Sequence, residues 1–247
     1  MSTESNETAM GSLSEAAEKP GMVEGDKPFK LPNIYLVGAQ CTGKTTLLRA
    51  LQMHFADPKN REFHGQLVEE PAIVEEVVRK VMRDKNFNVN DIGKPDRGFE
   101  LQRHNLQEQY DAEEALKDRW FISDRSGLDA VVYAKAYLGN AAAVKLADSR
   151  EWDVLRQRME SGLVIVCEAG NTGWLSGDEV RITYENTGKW EALNGEFYDA
   201  LGQHGIGYVV LQKEARDLRQ RIIFVEKLLA TRLRNSLLAV TSSQVNN

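Results

Sequence analysis

Short, almost uninterrupted runs of apolar residues recur along the chain and are separated by longer stretches of mixed polarity. Four clear runs occupy residues 33–38, 120–124, 163–168 and 207–212, and a weaker fifth occupies 65–70. Such runs are typical of parallel strands that are buried on both faces. The segments between them are long enough for crossover helices. The pattern predicts an α/β protein with a three-layer α/β/α fold and a mainly parallel sheet of about five strands.

The last predicted helix, at residues 214–238, has apolar residues at steps of three and four. These positions are Leu218, Ile222, Val225, Leu229, Leu233 and Leu237. Such a stripe is typical of a helix that packs on the sheet, and it also fits a helix that pairs with a second copy in a homodimer.

The two ends of the chain differ from the predicted domain at 31–239. Residues 1–30 are rich in Ser, Glu, Gly and Lys and contain few large apolar residues, so we expect a disordered tail. Residues 240–247 are expected to form a short C-terminal tail. The chain shows neither the apolar core of a signal peptide nor a membrane span of roughly 20 apolar residues. We therefore expect a cytoplasmic protein.

Composition narrows the function classes. The chain has 247 residues, a hydrophobic content of 42% and a formal net charge of −6. That content is sufficient for a large core, and the acidic balance argues against a nucleic-acid partner, because phosphate backbones require clustered Lys and Arg. The two cysteines, Cys41 and Cys167, provide no disulfide framework, which favours a reducing compartment.

A glycine-rich segment follows the first predicted strand and precedes an amphipathic stretch. Residues 38–46 read GAQCTGKTT and complete the pattern G-x-x-x-x-G-K-[ST] of P-loop NTPases. In this pattern backbone N–H groups converge on phosphate oxygens, and the N-terminus of the following helix adds a favourable dipole. The residues expected to bind the nucleotide are Gly38, Ala39, Gln40, Cys41, Thr42, Gly43, Lys44, Thr45 and Thr46.

Individual side chains of this loop have separate expected roles in binding ATP and Mg²⁺. Lys44 would reach the β- and γ-phosphates as a point charge, and the Thr45 hydroxyl would be a ligand of Mg²⁺. The alternative is an ordinary strand–turn–helix with a chance lysine, although both flanks have the expected character. Cys41 is either a spacer that contributes its backbone N–H or a redox-sensitive thiol.

Charged residues also stand at the end of the strand predicted at 120–124. Asp124 closes this strand, and the carboxyl ends of parallel strands form the ligand side of such a sheet. Asp124 is therefore either a Mg²⁺ ligand or a carboxylate that begins a helix. Arg125 either clamps a phosphate, pairs with an acid or is exposed. Ser126 and Asp129 fit a capping box, which explains both residues structurally and leaves Asp129 as a candidate substrate contact.

The 70–110 region offers candidates for a second substrate. Glu76 and Arg79 lie three residues apart and share a helical face, where they form either a solvated ion pair or part of a site. Glu70 is a rival acid near the end of the weak fifth run. Gln102 lies on an otherwise apolar helical face, and a buried amide needs partners. It is either a satisfied structural amide or a ligand contact.

Residues 169–190 contain four glycines and little apolar periodicity, which predicts a mobile loop or lid. Arg181 within it is either a solvated arginine or a lid cation that neutralises charge on a transferring phosphoryl group.

Several stretches together resemble one family. IYLVGAQCTGKTTL, VEEVVRKVM, ELQ, WFISDRSGLDAVVYAKAY and VIVCEAGNTGWLSGDEVRI occur in the order found in P-loop ATPase/kinase-like proteins related to the ribosylnicotinamide kinase domain of NadR. The chain is most similar to fungal proteins known as AAA-domain or NadR-like kinases. The resemblance covers about residues 33–230, most of the chain.

The resemblance assigns roles to the open candidates. The family has an acid three residues before an arginine after its second strand, which selects Glu76 and Arg79 over Glu70. The positions that match the family's site are Glu76, Arg79, Gln102, Asp124, Arg125 and Arg181. The chain shows no adenylyltransferase domain, so the second activity of some relatives is not implied.

The leading hypothesis is an ATP–Mg²⁺-dependent kinase that acts on a small-molecule hydroxyl, for example on a nucleoside such as nicotinamide riboside. Glu76 or Asp124 would orient or deprotonate this hydroxyl, while Lys44, Arg125 and Arg181 would stabilise phosphoryl charge. The alternatives are an ATPase or GTPase switch and a nucleotide-binding regulatory protein. Asp124 is followed by Arg rather than Glu, and no N-K-x-D motif occurs, which disfavours a motor and a familiar GTPase.

Overall fold

A five-stranded parallel sheet forms the centre of the protein, whose computed structural model describes residues 31–63, 65–171 and 187–245. The strands are β1 Ile34–Val37, β2 Glu62–Phe63, β3 Gln66–Leu67, β4 Ala72–Val74, β5 Phe121–Asp124, β6 Leu163–Cys167 and β7 Tyr208–Leu211. The sheet order is β4-β5-β1-β6-β7, and every neighbouring pair is parallel. Three of the four clear apolar runs are thereby confirmed as buried parallel strands, whereas the run at 207–212 forms the parallel edge strand β7, in which Tyr208 is exposed.

Helices cover both faces of the sheet. They are α1 Lys44–Ala56, α2 Val77–Asp84, α3 Pro95–Glu114, α4 Gly127–Leu138, α5 Asn140–Ala147, α6 Arg150–Ser161, α7 Thr187–Gln203 and α8 Leu218–Val245. Tyr35 and Val37 belong to the core cluster formed with α3, α4, α6 and α7. Side chains alternate along a strand, so Ile34 and Leu36 face the opposite layer, where α1 packs against α8. The predicted three-layer α/β/α fold is confirmed.

The weak run at residues 65–70 does not join the main sheet, and the strand found near it, β4, begins later in the chain. β4 pairs with β5 at Ala72–Val74, whereas β2 and β3 form a separate two-stranded antiparallel ribbon. Glu69 and Glu70 are exposed. Two adjacent carboxylates without partners oppose burial inside a sheet, so the strand begins only after Pro71.

The last helix is longer than predicted. α8 is capped at its start by the Asp217 carboxylate, which accepts from the backbone N–H of Gln220 at 2.8 Å. It continues through residues 240–245, where a tail was expected, because no glycine or proline follows to end it. Val225, Leu229 and Leu233 are buried, and α8 packs against α1. The middle of the stripe therefore packs within the chain, whereas Leu218 at its start is exposed, and pairing with a second copy stays a prediction.

The expected tail at residues 1–30 and most of the predicted lid, Arg181 included, lie outside the described ranges. The lid was predicted to extend to residue 190, but residues 187–190 form the first turn of α7. None of the helices within the described ranges combines the length and the apolar content that a bilayer crossing requires.

Candidate functional site

The loop between β1 and α1 makes a tight turn that depends on two glycines. Gly38 has φ +124°, and a Cβ on it would lie 2.7 Å from the carbonyl oxygen of Cys167. Gly43 has φ +80° and begins α1 in a left-handed conformation. Cys41 also has a positive φ, +58°. The strand–loop–helix context predicted for a phosphate-binding segment is therefore present.

Lys44 lies buried inside this loop. Its Nζ donates to the carbonyl oxygens of Gly38 at 2.9 Å and Ala39 at 2.6 Å. Burial lowers the pKa of Lys44, and the nearby positive charge of Arg125 adds to that effect. The ammonium group is held beside the loop by contacts that a phosphate oxygen can replace.

Thr45 and Asp124 meet across the loop, as expected for a shared ligand site. Thr45 Oγ1 donates to Asp124 Oδ2 at 2.5 Å, although the two residues are 79 positions apart in the sequence. Asp124 Oδ1 is buried and has no hydrogen-bond partner among the residues that the structure describes. Burial raises the pKa of Asp124, while the positive charge of Lys44 opposes this rise.

A Mg²⁺ ion fits these groups. Mg²⁺ is commonly bound by one or two carboxylates together with phosphate oxygens, rather than by an all-protein cage. The described residues contain no group of three or more His, Cys, Asp and Glu side chains that could hold a metal. Asp124 Oδ1 and the hydroxyl of Thr45 would supply two oxygen ligands, and phosphate oxygens and water would supply the others.

Arg125 organises the carboxylates beside the loop. Its Nε donates to Glu76 Oε1 at 2.6 Å, and its terminal nitrogen donates to Asp129 Oδ1 at 2.8 Å. Arg79 Nε donates to the other oxygen of Glu76 at 3.0 Å. Asp129 also completes the predicted capping box with Ser126 at the start of α4, which is confirmed.

These contacts set the charge state of the cluster. Burial alone would raise the pKa of Glu76, but Arg125, Lys44 and Arg79 lower it to about 2. Burial would lower the pKa of Arg125, but Glu76 and Asp129 more than compensate and raise it. Glu76 is therefore an ionised hydrogen-bond acceptor at neutral pH and a weak proton acceptor.

Two clefts meet at this cluster. One is lined by the loop residues 40–46 and Asp124, and the other lies between α2, α3 and α4. The second cleft is open to solvent, and its lining combines apolar side chains with a few polar ones, as small-molecule sites do. Gln40, Glu76 and Arg125 line both clefts. A phosphate on the loop and a molecule in the second cleft would therefore face each other across these three side chains.

Gln102 lies buried in the wall of the second cleft. Its Oε1 accepts from Asn105 Nδ2 at 3.2 Å, and within the described ranges no donor reaches the buried Asn105 Oδ1. Sequence reasoning missed Asn105, although its position three residues after Gln102 on the same helical face was a usable signal. The pair brings two amide groups to an otherwise largely apolar wall.

Three more residues at the site were missed by sequence reasoning. The Tyr133 hydroxyl donates to Gln40 Oε1 at 2.5 Å, and Trp190 Nε1 donates to the Gln40 carbonyl oxygen at 2.7 Å. Arg221 from α8 donates to the loop carbonyl of Thr42 at 3.0 Å. These partners come from 93 to 179 positions away, so no local pattern could have revealed them.

The remaining candidate residues differ in their burial and in their distance from the loop. Thr42 is a buried spacer whose hydroxyl donates to the Ala39 carbonyl at 3.1 Å, whereas Thr46 is exposed at the mouth of the loop cleft. Glu70 precedes β4 and Glu76 follows it, so the two acids lie beyond opposite ends of that strand. The structure therefore places the acid favoured by the family pattern, and not its rival, beside the loop.

Comparison with known proteins identifies the family. A family model described as an AAA domain matches residues 33–221. The chain belongs to this AAA-domain family. No curated protein matches the AAA-domain chain closely enough to count as a relative.

Solved structures show which fold this AAA-domain protein shares. Deoxyadenosine kinase from M. mycoides, with the products dCMP and a flexible dCDP bound, superposes with a TM-score of 0.54 at 15% identity, covering 81% of this chain and 99% of the kinase. NadR in complex with NR superposes with a TM-score of 0.58 at 19% identity, covering 81% of this chain and 51% of NadR. NadR in complex with NAD and AMP-PNP superposes with a TM-score of 0.56 at 18% identity, covering 81% of this chain and 49% of NadR.

At these identities the likeness establishes the fold, that of P-loop kinases. The chain spans nearly all of the deoxyadenosine kinase but only about half of the NadR chains.

Proposed function

We propose that this protein is an ATP–Mg²⁺-dependent kinase that transfers a phosphoryl group to a hydroxyl of a small molecule. The observation on which the proposal depends is the junction of the two clefts at Gln40, Glu76 and Arg125. A nucleotide-binding protein without a second substrate needs only the loop cleft. A kinase needs both clefts, with a carboxylate and a cation where they meet.

On the nucleotide side, the loop amides and Lys44 would hold the phosphates. Lys44 would exchange its contacts with the carbonyls of Gly38 and Ala39 for phosphate oxygens. Thr45 and Asp124 would hold Mg²⁺, which when bound neutralises charge on the phosphate oxygens. Arg181, in the predicted lid, is proposed as a further cation at this site.

On the acceptor side, the cleft offers an apolar wall with a few polar groups. Gln102 and Asn105 present amides, and Asn105 Oδ1 needs a donor that a substrate N–H or O–H can supply. A nucleoside has the required flat apolar ring, polar ring edge and hydroxyl groups. Nicotinamide riboside is one such molecule, and the similarity in fold to NadR in complex with NR supports testing it first.

The transfer step requires positioning more than proton abstraction. The acceptor oxygen attacks the γ-phosphorus, the bond from that phosphorus to the β–γ bridging oxygen breaks, and ADP leaves with that oxygen. The hydroxyl proton leaves to solvent or to the transferred phosphate. Glu76, held ionised by Arg125 and Arg79, would accept a hydrogen bond from the hydroxyl and orient it. Arg125 would stabilise the charge that spreads over the phosphoryl oxygens.

The experiment is a phosphoryl-transfer screen with ATP–Mg²⁺ and a panel of nucleosides that includes nicotinamide riboside. Wild type should give a phosphorylated product and ADP in equal amounts. Lys44→Ala should reduce the rate by about a hundredfold or more, because the lysine charge acts on the transferring phosphoryl group. Product formation is measured by chromatography and ADP by a coupled assay.

Lys59→Ala is the matched control, because Lys59 is an exposed lysine outside both clefts, and it should retain the wild-type rate. A protein that releases phosphate from ATP without forming any product, and does so faster with a protein partner, would be a switch rather than a kinase. Nucleotide binding that survives Lys44→Ala at full strength would contradict the phosphate-loop assignment itself.

A further inference from the structure

Arg221 connects the C-terminal helix to the phosphate loop. It lies in the first turn of α8, is only 2% exposed and lines the loop cleft. One terminal nitrogen donates to the carbonyl oxygen of Thr42 at 3.0 Å, and the other donates to that of Gly43 at 3.4 Å. A fully buried arginine is uncommon, so a specific arrangement must offset its desolvation.

The two carbonyl groups determine where the loop amides point. In a trans peptide the C=O and N–H bonds point in opposite directions. The peptide that carries the Thr42 carbonyl also carries the N–H of Gly43, and the next peptide carries the N–H of Lys44. The Gly43 carbonyl also accepts from the backbone N–H of Leu47 at 2.9 Å, so the first turn of α1 fixes the peptide of Lys44. Arg221 holds the Thr42 carbonyl on its own side and thereby turns the N–H of Gly43 to the other side. The described residues contain no cis peptide bond that would break this relation.

The position of Arg221 is itself fixed by the fold. Asp217 caps the first turn of α8, and the backbone N–H of Arg221 donates to the Asp217 carbonyl at 3.1 Å. Val225 and Leu229, one and two turns further on, are fully buried on the side of α8 that packs against α1. The guanidinium is therefore held by a rigid helix, which makes it able to orient a flexible loop.

We infer that Arg221 is a positioning residue that orients the amide of Gly43 toward the β-phosphate of the nucleotide. This inference rests on the proposed phosphate-binding function of the loop. It extends the nucleotide site to α8, an element beyond the glycine-rich motif, and it assigns the arginine a role separate from charge alone. Both the planar fork and the charge of the guanidinium contribute, because the fork holds two carbonyls at once.

The test measures binding of ADP–Mg²⁺ and AMP to the full chain by titration calorimetry, with no acceptor present. Arg221→Gln removes the charge, and Arg221→Lys keeps the charge but loses the fork. We expect both variants to weaken ADP binding by about tenfold, because an oriented donor to the charged β-phosphate is lost. AMP has no β-phosphate, so its affinity should change by less than about twofold. Arg219→Gln, an exposed arginine in the same turn, is the matched control and should bind both nucleotides like wild type.

A second readout follows the amides directly. In ¹⁵N-labelled wild type, ADP should shift the amide resonance of Gly43, and in Arg221→Lys this shift should be much smaller. If Arg221→Gln does not fold, Arg221→Lys provides the same comparison.

The inference is overturned if ADP and AMP lose affinity equally, if Arg221→Lys binds ADP like wild type, or if Arg219→Gln behaves like the Arg221 variants. If wild type itself binds no ADP, the phosphate-loop assignment fails and the inference falls with it. The two failures are therefore distinguishable.

Discussion

Arg125 adopts a left-handed backbone conformation, with φ +83°, directly after strand β5. For a residue other than glycine this conformation costs about 1–3 kcal/mol and persists only where the surroundings stabilise it. Here the side chain contacts Glu76 and Asp129, and its guanidinium lies 5.5 Å from the ring centroid of Tyr133. At the scale of single residues, the site is therefore a buried charge cluster in which each member depends on the others.

Arg125→Met should lower the free energy of unfolding by about 3–5 kcal/mol, because it leaves Asp129 buried without its cation and Glu76 with only its ion pair to the partly exposed Arg79. Urea denaturation at neutral pH measures the loss. Arg83→Met is the control, since its ion pair with Asp84 is exposed and should contribute less than about 1 kcal/mol.

The double variant Arg125→Met/Glu76→Gln should recover part of the stability, because one uncompensated charge is removed. An Arg125→Met variant that is no less stable than Arg83→Met would contradict this account of the cluster.

At the scale of elements, the unit formed by β1, the loop and α1 depends on its first turn. Gly38 lies where β1 ends beside Cys167 of β6, and the backbone of the neighbouring strand leaves no room for a side chain. The loop can reach α1 only because this position lacks a Cβ.

Gly38→Ala should destabilise the protein by about 2–4 kcal/mol, through the strained φ and the contact with the Cys167 carbonyl. Thermal and urea denaturation test this expectation. Gly207→Ala serves for comparison, since a Cβ there meets nothing within 4 Å, and its stability should stay within about 0.5 kcal/mol of wild type. Equal stability of the two variants would show that the turn does not require a glycine.

At the scale of the whole molecule, a buried polar network connects four elements behind the site. Glu113 of α3 accepts from the Tyr35 hydroxyl of β1 at 3.1 Å and from Gln109 at 2.8 Å. Gln109 also donates to Ser123 of β5 at 3.1 Å, and Arg158 of α6 lies 3.9 Å from the Glu113 carboxyl group. Burial raises the pKa of Glu113 to about 7, although Gln109, Arg158 and Tyr35 oppose the rise.

This raised pKa predicts a pH dependence of stability. Between the ordinary pKa of 4.5 and about 7, the folded state binds the Glu113 proton more tightly than the unfolded state. The free energy of unfolding should therefore fall as the pH rises through this window. Glu113→Gln should remove this component and make the protein more stable than wild type at pH 8, by on the order of 2 kcal/mol.

Urea denaturation at pH 5, 6, 7 and 8 measures how the free energy of unfolding changes with pH in wild type and in Glu113→Gln. The control Glu191→Gln changes an exposed carboxylate of α7 and should keep the wild-type slope. Parallel curves for wild type and Glu113→Gln would disprove the assigned titration.

Some features of the chain could be predicted because interactions between residues close in sequence determine them. The apolar runs at residues 33–38 and 163–168 could only be buried strands, and the glycine spacing at 38–43 required a turn into a helix. The capping box of Ser126 and Asp129 likewise depends on groups within one helical turn. From such signals the sequence by itself determined the fold class, the main strands, the start of α4 and the phosphate loop.

The tertiary structure alone decided the rest. It placed the fifth strand at Ala72–Val74, because burial selects a short strand that no periodicity marks. It paired Glu76 with Arg125 and brought Arg221 onto the loop, contacts between residues 49 and 179 positions apart. The charge state of a buried carboxylate and the direction of a loop peptide depend on groups that meet only after the chain has folded, and a one-dimensional pattern does not contain those distances.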